Sequence, residues 1–468
     1  MKTDFLSGKN VLIMGLGRFG GGLDAAEFAV NAGAKVVVTD LATAGQLSDS
    51  LNKLKQFQQI EYRLGSHQRR DFEQADVVIV NPAVAPDNQF VKLARSLNKF
   101  VTAQVNIFFD LCPAPIIGIT GANGKSTTAA LTTHLLRSAL AQPDFKYRRI
   151  WFSGNIGNEP LLGIANQITP DDLVVLELSS FQIEQLAQEA KAPHVALLTN
   201  LLPNHLDRYG AFENYCAAKE NIFKFQQPDD ASPAVSIFNA QDKIGAEWFD
   251  KYNSEAGRVC IKFSTDDVSE RIRDAFALPG RANLENLAAA VTVAGYFGVK
   301  DDAIEGRLPE FRALPHRLEL IAELSGVRWY NDSKATTPEA AIAAIEAFDQ
   351  PVIIIAGGYD KHTPFDELGK RIARKAKAAI LIGQTARKIG EAIKVAAQNK
   401  AQVEIVDSLE IAVEHAAQCA TGGDVVLLSP ACASYDMFDN YEHRGREFVE
   451  LVRKISKRSQ QTAASQAP

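Results

Sequence analysis

The chain has little of several features that mark particular classes of protein. Only five of its 468 residues are cysteine, an odd number without metal-ligand spacing, which is typical of reduced thiols in a cytosolic protein. No apolar run approaches the roughly 18 residues of a membrane span. No apolar segment follows the first four residues as it would in a secretory signal. We therefore expect a cytoplasmic protein that is neither secreted nor inserted in a membrane.

Positive charge is not in excess, and internal repeats of solenoid length are also missing. Fifty Lys and Arg residues against 56 Asp and Glu residues give a net charge of −6, so the sequence has no basic footprint for nucleic acid. The content of 46% apolar and 23% charged residues is that of a soluble globular protein. A chain of 468 residues is too long for one core and predicts about three domains.

What the sequence does have is a regular alternation of short β-branched runs with helical patterns. This alternation predicts an α/β protein with parallel sheets covered by helices. The predicted strands are 11–14, 35–38, 77–80, 116–119, 173–178, 195–198, 329–330, 352–356, 379–382 and 425–428. Proline-marked junctions and a change in composition predict four segments, which are domains at 1–112, 113–314 and 315–455 and a disordered tail at 456–468.

The most informative motif is the turn Gly118-Ile-Thr-Gly-Ala-Asn-Gly-Lys-Ser-Thr127, which lies between an apolar strand and a helix. Free backbone N–H groups and the positive end of a helix converge in such a turn and bind phosphate. Lys125 supplies a cation for the outer phosphates, and Ser126 or Thr127 can place a hydroxyl on Mg²⁺. Because Ile119 stands where the usual pattern has a glycine, this is a variant P-loop. A chance glycine-rich turn is the alternative.

A second turn of the phosphate-binding type, Gly15-Leu-Gly-Arg-Phe-Gly20, follows a strand near the N-terminus, and Asp40 ends the next strand. Alone, this pattern predicts a dinucleotide such as NAD, with Asp40 accepting a hydrogen bond from a ribose hydroxyl. A dehydrogenase has no need of the second phosphate turn at 118–127. Two nucleotide-shaped sites therefore favour a triphosphate as the energy source and a nucleotide-tagged molecule as the substrate.

Three titratable side chains stand out in the second block of strands and helices. Glu177 is the one acid in the apolar run 173–178, and a buried carboxylate needs a partner, for which Mg²⁺ is the natural choice. The alternative is an acid that simply emerges at the end of its strand. His205 follows the strand at 195–198 and, taken alone, is more often a structural group than a ligand.

Lys219 lies on the apolar stripe of its predicted helix, together with Phe212, Tyr215, Cys216, Ile222 and Phe223. Burial can lower the pKa of a lysine by about 3 to 5 units and leave a neutral amine. Such an amine can pair with an acid, act as a base, or take up CO₂ to become a carbamate. The alternative is an ammonium group that reaches solvent past its apolar stem.

In this order, the motifs resemble those of the Mur ligases, the ATP-dependent amide-forming enzymes of peptidoglycan precursor synthesis. The likeness spans nearly the whole chain. The matching segments are 120–126, 177–181, 204–208, 218–219, Asn283 with Asn286, 315–317 and 331–336. The resemblance implies a Rossmann-like N-terminal domain, a P-loop ATPase-like central domain with a mainly parallel sheet, and a Rossmann-like C-terminal domain.

The resemblance also implies the residues of the ATP and metal sites. The catalytic residues would be Lys125, Glu177, His205 and Lys219. Two Mg²⁺ ions would be held by Ser126 with Glu177 and by His205 with a carbamate, formed from CO₂, on Lys219. The ATP-binding residues would be Gly121, Asn123, Gly124, Lys125, Ser126, Thr127, Asn283, Asn286, Arg317 and Asp332.

The first domain would then bind the UDP of a sugar nucleotide rather than NAD. The residues implied for this site are Gly17, Arg18, Phe19, Thr39, Asp40, Asn81 and Asn155. Two departures from the family pattern lie at or near these sites: Asn81-Pro-Ala83 stands where Ser-Pro-Gly is common, and Arg281-Ala282 replaces the usual histidine before Asn283. The segment 141–149 is a local elongation to which the sequence assigns no role.

Segments of the third domain most resemble the family members that add D-glutamate to UDP-N-acetylmuramoyl-L-alanine through an acyl phosphate. These segments are 331–336, 357–361 and 428–434, with Asp436, Phe438 and Arg444-Gly445. The chain lacks the Asp-Asn-Pro-Arg segment of the diaminopimelate- or lysine-adding relatives. The residues implied to hold D-glutamate are Lys334, Thr336, Lys361, Ser434 and Tyr441.

The expected protein is a monomer whose partners are these small molecules, with no nucleic acid and no membrane. Two alternatives stay open at this point. One is a Mur-type ligase for a different amino acid. The other, from a different class, is a sensor that binds UDP-sugars and ATP without joining anything.

Overall fold

The computed structural model describes residues 3–17, 20–155, 160–228, 233–396 and 400–465. The chain divides into two compact units. The first comprises Met1–Ile272 with Asn286–Arg307 and carries two sheets, and the second comprises Arg273–Glu285 with Leu308–Pro468 and carries one. All three sheets have helices interleaved between their strands, so the predicted α/β class is confirmed.

The first sheet is fully parallel, with the strand order β3-β2-β1-β4-β5. Its strands are β1 (Asn10–Met14), β2 (Lys35–Asp40), β3 (Glu61–Leu64), β4 (Val77–Val80) and β5 (Phe100–Thr102). Its helices are α1 (Gly21–Asn31), α2 (Ser48–Leu54), α3 (Arg69–Gln74), α4 (Gln89–Ser96) and α5 (Gln104–Leu111). The order reverses at β1, and ligands of such sheets bind outside the carboxyl ends of the strands at this point. Gly15 and Asn81, which follow β1 and β4, therefore lie at the expected ligand edge.

The second sheet is also fully parallel, with the order β11-β10-β9-β6-β8-β7. Its strands are β6 (Ile116–Thr120), β7 (Ile150–Gly154), β8 (Leu173–Glu177), β9 (Val195–Leu198), β10 (Ala234–Asn239) and β11 (Arg258–Phe263). The helices after β6 are α6 (Lys125–Ser138), α7 (Leu161–Ala165), α8 (Ser180–Ala187), α9 (Leu206–Tyr209), α10 (Phe212–Lys224), α11 (Lys243–Tyr252), α12 (Glu270–Asp274), α13 (Arg281–Tyr296) and α14 (Asp301–Arg307).

The central position of β6 decides where the site of this sheet lies. Every residue of β6 and β8 is buried, which is why both strands appear in the sequence as short continuous apolar runs. β6 pairs with β8 on one side and β9 on the other. Because parallel strands end at the same edge, the phosphate turn, Glu177 and the loop after β9 meet there.

The two sheets of the first unit are joined by a buried carboxylate. Asp24 on α1 accepts hydrogen bonds from the backbone N–H of Leu162 (2.8 Å) and of Gly163 (3.2 Å), and its third partner is the Gln104 side chain. Burial raises the pKa of Asp24 above its ordinary value, while these three donors oppose the shift. These hydrogen bonds connect α1, which follows the N-terminal glycine turn, to α7, which lies between β7 and β8 of the second sheet.

The third sheet is mixed, with the order β12-β13-β17-β14-β15-β16. β12 is antiparallel to β13, and the other pairs are parallel. The strands are β12 (Glu319–Leu324), β13 (Val327–Asn331), β14 (Val352–Ala356), β15 (Ala376–Leu381), β16 (Gln402–Ile405) and β17 (Val425–Leu428). The helices are α15 (Pro338–Glu346), α16 (Asp366–Lys375), α17 (Ala386–Lys394), α18 (Leu409–Cys419) and α19 (Tyr441–Ser465).

Helix α19 differs from the sequence-based expectation at the C-terminus. It continues to Ser465 and so includes ten residues of the segment 456–468 that the composition predicts to be disordered. The buried residues Phe448, Leu451 and Val452 fix the first turns of α19 in the core of the second unit. Extending an existing helix costs far less than starting one, and Lys, Arg, Gln and Ala are good helix formers. Composition alone does not report this effect.

In the part of the chain that the structure describes, no helix combines the length and the apolar character needed to cross a bilayer.

Candidate active site

The phosphate turn joins β6 to α6, as the sequence predicts, and its two inner glycines are required by the backbone. Gly121 and Gly124 have φ values of 149° and 81°, a region that side chains with a Cβ rarely adopt. A Cβ on Gly121 would also clash with the Thr199 hydroxyl, and one on Gly124 would clash with the Asn286 amide oxygen. The variant glycine spacing therefore matches the conformation and the space of this turn.

Residues that follow β9 hold the turn in place. The backbone N–H of Asn123 donates to the side-chain oxygen of Asn200 (2.9 Å), and the Thr199 hydroxyl donates to the Asn123 carbonyl (2.6 Å). On the other side, Asn286 on α13 accepts a hydrogen bond from the Thr128 hydroxyl (3.1 Å). The sequence analysis missed Thr199 and Asn200, although two polar residues directly after a buried strand are the signal that could have found them.

The Lys125 ammonium folds back over the turn. Its Nζ donates to the carbonyls of Gly121 (2.9 Å) and Ala122 (2.8 Å). The cation thus lies beside the backbone N–H groups that a phosphate would use. Thr127, two residues after Lys125 on α6, is buried.

Glu177 lies at the end of β8 and is 2% exposed, so the alternative that it simply emerges into solvent is wrong. The Ser126 hydroxyl donates to its carboxylate. Asn155, which the family resemblance implies for the sugar-nucleotide site, lies beside it: its backbone N–H donates to the Glu177 carbonyl (3.0 Å) and its side-chain amide is 3.5 Å from the carboxylate. The structure thus brings Ser126, Glu177 and Asn155 together.

Lys219 is 1% exposed, so the alternative of an ammonium group reaching solvent is wrong. Its Nζ donates to the Thr120 hydroxyl at the end of β6 (3.0 Å) and lies 5.1 Å from the centre of the Tyr215 ring. Burial holds the pKa of Lys219 well below its ordinary value, and the nearby Lys125 ammonium acts in the same direction, while Glu177 opposes it. The shift favours the neutral, nucleophilic form of this amine at the phosphate edge.

His205 has a left-handed backbone (φ 53°) and immediately precedes α9. Its ring lies 5.0 Å from that of Phe181 and 6.3 Å from that of Tyr215. His205 is exposed, and the partial burial of its ring lowers its pKa below the ordinary value, which favours the neutral imidazole, the form that binds a metal ion. Left-handed backbone in a non-glycine residue is costly and concentrates at functional sites.

The donor atoms at this edge fit Mg²⁺ in part. Among the described residues, no group of three His, Cys, Asp or Glu side chains could hold a metal ion. Mg²⁺ prefers oxygen ligands and shares them with substrate phosphates and water. The buried hydroxyl of Ser126 and carboxylate of Glu177 suit such a cation. The amine of Lys219 suits it only after conversion to a carbamate, which supplies oxygens.

The N-terminal turn is ordered by the residues predicted to bind the nucleotide. Asp40 accepts hydrogen bonds from the backbone N–H of Gly17 (3.0 Å) and of Ala42 (2.8 Å), and the Asn81 side chain donates to the Gly15 carbonyl (3.2 Å). Asp40 therefore shapes this turn, and its contact with a ribose stays a prediction. Thr39 is buried and its hydroxyl lies 2.8 Å from His67 Nδ1. Arg18 and Phe19 lie outside the described residues.

In the second unit, Asp332 follows β13 in a buried position. It accepts hydrogen bonds from the Ser429 hydroxyl (2.9 Å) and from the backbone N–H of Leu318 (3.1 Å). Burial raises the pKa of Asp332 to about 7, although these bonds and the Arg317 charge oppose the shift. Asn283, one turn before Asn286 on α13, donates to the Pro279 carbonyl (2.8 Å).

All the residues predicted to hold D-glutamate except Lys361 lie in segments that a buried arginine joins. Arg444 is fully buried and donates to the carbonyls of Ser333 (2.8 Å) and Cys432 (3.1 Å). The Lys334 ammonium lies 5.1 Å from the centre of the Tyr441 ring. Arg444 thus joins the strand end that carries Lys334 and Thr336 to the loop that carries the buried Ser434. Lys361 lies in an exposed loop after β14.

Three family models match the chain in succession. A Mur ligase MurD-like N-terminal domain matches residues 9–102, a Mur ligase middle domain matches 119–294, and a Mur ligase glutamate ligase domain matches 316–432. These ranges contain the N-terminal glycine turn, residues 119–127 of the phosphate turn and the end of β13.

Full-length relatives agree with the domain models. The UDP-N-acetylmuramoylalanine--D-glutamate ligase of Roseiflexus sp. (strain RS-1) is 39% identical over 96% of this chain and 100% of that protein. The protein of the same name from Caldanaerobacter subterraneus subsp. tengcongensis is 37% identical over 96% of this chain and 98% of its own length.

Solved structures share the fold at lower identity. A UDP-N-acetylmuramate-alanine ligase from Thermotoga maritima has a TM-score of 0.59 at 18% identity and covers 95% of this chain and 99% of its own. A MurF ligase from the same organism, in complex with ADP, has a TM-score of 0.56 at 17% identity and covers 98% of this chain and 97% of its own.

Proposed function

Because the chain belongs to the Mur ligase family, we propose that it joins D-glutamate to UDP-N-acetylmuramoyl-L-alanine in an ATP-dependent reaction of peptidoglycan precursor synthesis. The observation that carries this proposal is the 37–39% identity over 96% of the chain to relatives that bear the name of this ligase. The phosphate turn, with Glu177 and the buried amine of Lys219 beside it, supports ATP as the source of energy.

The chemistry starts from a carboxylate that is too stable to react with an amine. The γ-phosphoryl group passes from ATP to an oxygen of the alanyl carboxylate, and ADP leaves. The amine of D-glutamate then attacks the acyl carbon, phosphate leaves with the C–O electron pair, and the nitrogen loses a proton. Lys125 can turn from the carbonyls of Gly121 and Ala122 toward the transferring phosphoryl, where its charge stabilises the developing negative charge.

The oxygen donors at this edge would hold Mg²⁺, which neutralises phosphate oxygens when bound. We assign one cation to Ser126 and Glu177, and a second to His205 with a carbamate on Lys219. The carbamate forms when the neutral amine of Lys219 attacks CO₂ and loses a proton, and it creates a carboxylate-like ligand. The lowered pKa of Lys219 supports this assignment, because only the neutral amine reacts.

We assign the remaining substrate groups to the residues that the family resemblance implies. The UDP-sugar is proposed to bind at Gly17, Arg18, Phe19, Thr39, Asp40 and Asn81, with Asn155 closer to the reacting carboxylate. D-Glutamate is proposed to bind at Lys334, Thr336, Lys361, Ser434 and Tyr441. The adenine and ribose of ATP are assigned to Asn283, Asn286, Arg317 and Asp332. The domain limits 1–112, 113–314 and 315–455, the monomeric state and the cytoplasmic location stay predictions.

One assay tests the proposed function. The protein is incubated with ATP, Mg²⁺ and UDP-N-acetylmuramoyl-L-alanine together with D-glutamate, L-glutamate, L-lysine or no amino acid, and both phosphate and the new amide are measured. We expect both products with D-glutamate alone. Phosphate release that is independent of the amino acid would contradict the ligase and favour the sensor, whereas preference for L-lysine would assign the chain to another Mur-type activity.

A matched pair of lysine variants shows whether the phosphate turn drives the reaction. Lys125→Met removes the cation beside the turn and is expected to reduce amide formation at least a hundredfold, the usual cost of losing a group that stabilises transition-state charge (about 10²–10³). Lys243→Met is the control, because its side chain is 89% exposed on α11. Equal activities of the two variants would contradict the assignment of the turn.

A further inference from the structure

Arg208 connects the two sheets of the first unit at a place where both end in ligand-binding segments. It lies three residues after His205 on α9, and its side chain is 15% exposed. The guanidinium lies over the Phe181 ring, 4.0 Å from its centre, and Nη2 donates to the Glu184 carboxylate (3.0 Å). Phe181 and Glu184 belong to α8, the helix that begins three residues after Glu177. One face of the arginine is therefore fixed to the phosphoryl-transfer segment.

The other face of the same guanidinium holds the loop after β4. Nη1 donates to the carbonyls of Pro82 (3.2 Å) and Ala83 (3.1 Å). The backbone N–H of Ala83 donates in turn to the Asn81 side-chain oxygen (3.0 Å), and the Asn81 amide donates to the Gly15 carbonyl (3.2 Å). A Cβ added to Gly15 would lie only 2.8 Å from that of Asn81, so the two turns are in close contact. A shift of the loop at 81–83 would displace the nucleotide turn as well.

These contacts need the shape of arginine as well as its charge. A planar guanidinium presents several N–H groups in fixed directions and stacks on an aromatic ring, whereas a lysine ammonium is a point charge that does neither. In Arg208, Nη2 donates to a carboxylate, Nη1 donates to two carbonyls, and the flat face of the guanidinium stacks on Phe181. A lysine at this position keeps the ion pair with Glu184 but loses the hydrogen bonds to Pro82 and Ala83 and the stacking on the Phe181 ring.

We propose that Arg208 is a positioning residue, which sets the place of the sugar-nucleotide turn relative to the phosphoryl-transfer segment around Glu177 and His205. This inference rests on the proposed function, because it assigns the UDP-sugar to Gly15 and Asn81. The sugar nucleotide carries the carboxylate that must reach the γ-phosphoryl. A nucleotide turn that is no longer held in place must be ordered by the sugar nucleotide itself, and this cost weakens binding.

The test compares two arginines whose side chains each connect a segment of the first sheet to a segment of the second. Arg208→Lys is expected to raise KM for UDP-N-acetylmuramoyl-L-alanine about tenfold, the usual effect of losing hydrogen bonds from a charged donor, with KM for ATP and D-glutamate unchanged. Arg95→Lys is the matched control. Arg95 on α4 donates to the Gln188 side chain at the end of α8, and the described structure shows no hydrogen bond from it to 81–83. We expect Arg95→Lys to leave all three KM values unchanged.

Several outcomes would overturn the proposal. These are an unchanged KM for the sugar nucleotide in Arg208→Lys, a parallel rise of all three KM values, or the same change in Arg95→Lys, which would indicate a merely structural role. If Arg208→Lys does not fold, Glu184→Gln replaces it, with an expected rise in the same KM of about threefold and the same refuting results.

Direct binding separates this proposal from the proposed function. Titration calorimetry with UDP-N-acetylmuramoyl-L-alanine should show about tenfold weaker binding to Arg208→Lys than to the unmodified protein, whether or not amide is formed. Absence of amide formation by the unmodified protein would contradict the proposed function alone. Equal binding by the unmodified protein and the variant would contradict the role of Arg208 alone.

Discussion

Replacing Lys219 by methionine would separate the chemical role of this residue from its structural one. Methionine keeps an unbranched stem and removes the amine that donates to the Thr120 hydroxyl (3.0 Å). The Thr120 hydroxyl still donates to the Leu178 carbonyl (2.8 Å), so the net loss is one hydrogen bond, about 0.5–1.5 kcal/mol. Burying an apolar group in place of an amine offsets this loss. We expect the unfolding temperature to change by less than about 5 °C.

The same substitution is expected to nearly abolish amide formation. If Lys219 supplies a carbamate oxygen to a cation at the phosphoryl, its removal should cost about 2.7–4 kcal/mol of transition-state stabilisation, or about 10²–10³ in kcat. The measurements are kcat for amide formation and the unfolding temperature. Lys224→Met is the control on the same helix, because Lys224 is exposed.

Two results would refute this reasoning. A Lys219→Met protein that keeps more than about a tenth of the unmodified kcat would show that the amine has no chemical role, since the expected loss is at least about a hundredfold. A fall in the unfolding temperature of more than about 10 °C would show that the buried amine stabilises the fold by much more than one hydrogen bond.

Three further predictions concern other parts of the site. Gly124→Ala should raise KM for ATP at least tenfold while the protein stays folded, because the added Cβ strains the turn and clashes with Asn286. An unchanged KM for ATP in a kinetic assay would contradict the observed geometry. Glu177→Gln keeps the shape of the side chain and should lower kcat about a hundredfold at a fixed Mg²⁺ concentration. In a Mg²⁺ titration, the kcat of this variant should recover in part at higher Mg²⁺ concentrations. The Asp332 carboxyl has a pKa of about 7 when folded and an ordinary value of 3.8, so the folded chain binds this proton more tightly. Its contribution to the free energy of unfolding is therefore largest below pH 4 and is lost as the pH rises to 7. Asp332→Asn should stabilise the protein at pH 8 more than at pH 5 in urea unfolding, and an equal effect at both pH values would contradict the shift.

Most of the strands that the sequence predicts correctly are buried on both faces, although β10, which is buried at every residue, was missed. β1, β4, β8, β14 and β17 all read as short apolar runs because helices cover both sides of their sheets. The sequence-based prediction misses strands at the sheet edges, such as β3, β12 and β16, where every side chain is at least partly exposed. An edge strand is formed by pairing with its neighbour, and the partners of β3 and β16 are separated from them along the chain by a helix, whereas β12 pairs with β13 directly after it.

The sequence predicted the parts of the candidate site that lie within one continuous segment and missed contacts between distant segments. The two glycine turns and the acid at the end of β8 lie within continuous segments with their own periodicity, so each was found from local pattern. Thr199 and Asn200, which hold the phosphate turn, were missed because they follow a different strand. Arg208 was part of a matched motif, but nothing in the sequence indicates that it contacts Pro82 and Ala83, more than a hundred residues earlier.

The sequence by itself determined the α/β class, the two phosphate-type turns and the family to which the chain belongs, because these depend on residues that are close together along the chain. Only the tertiary structure decided that Lys219 is a buried amine beside Thr120 rather than a surface ammonium, that Glu177 is enclosed with Ser126, and that Arg208 joins two sheets. Burial and pKa depend on which distant segments pack around a side chain, and helical periodicity states only which face is apolar. The chemistry of this site is therefore set by contacts that form when β6, β8 and β9 end at one edge.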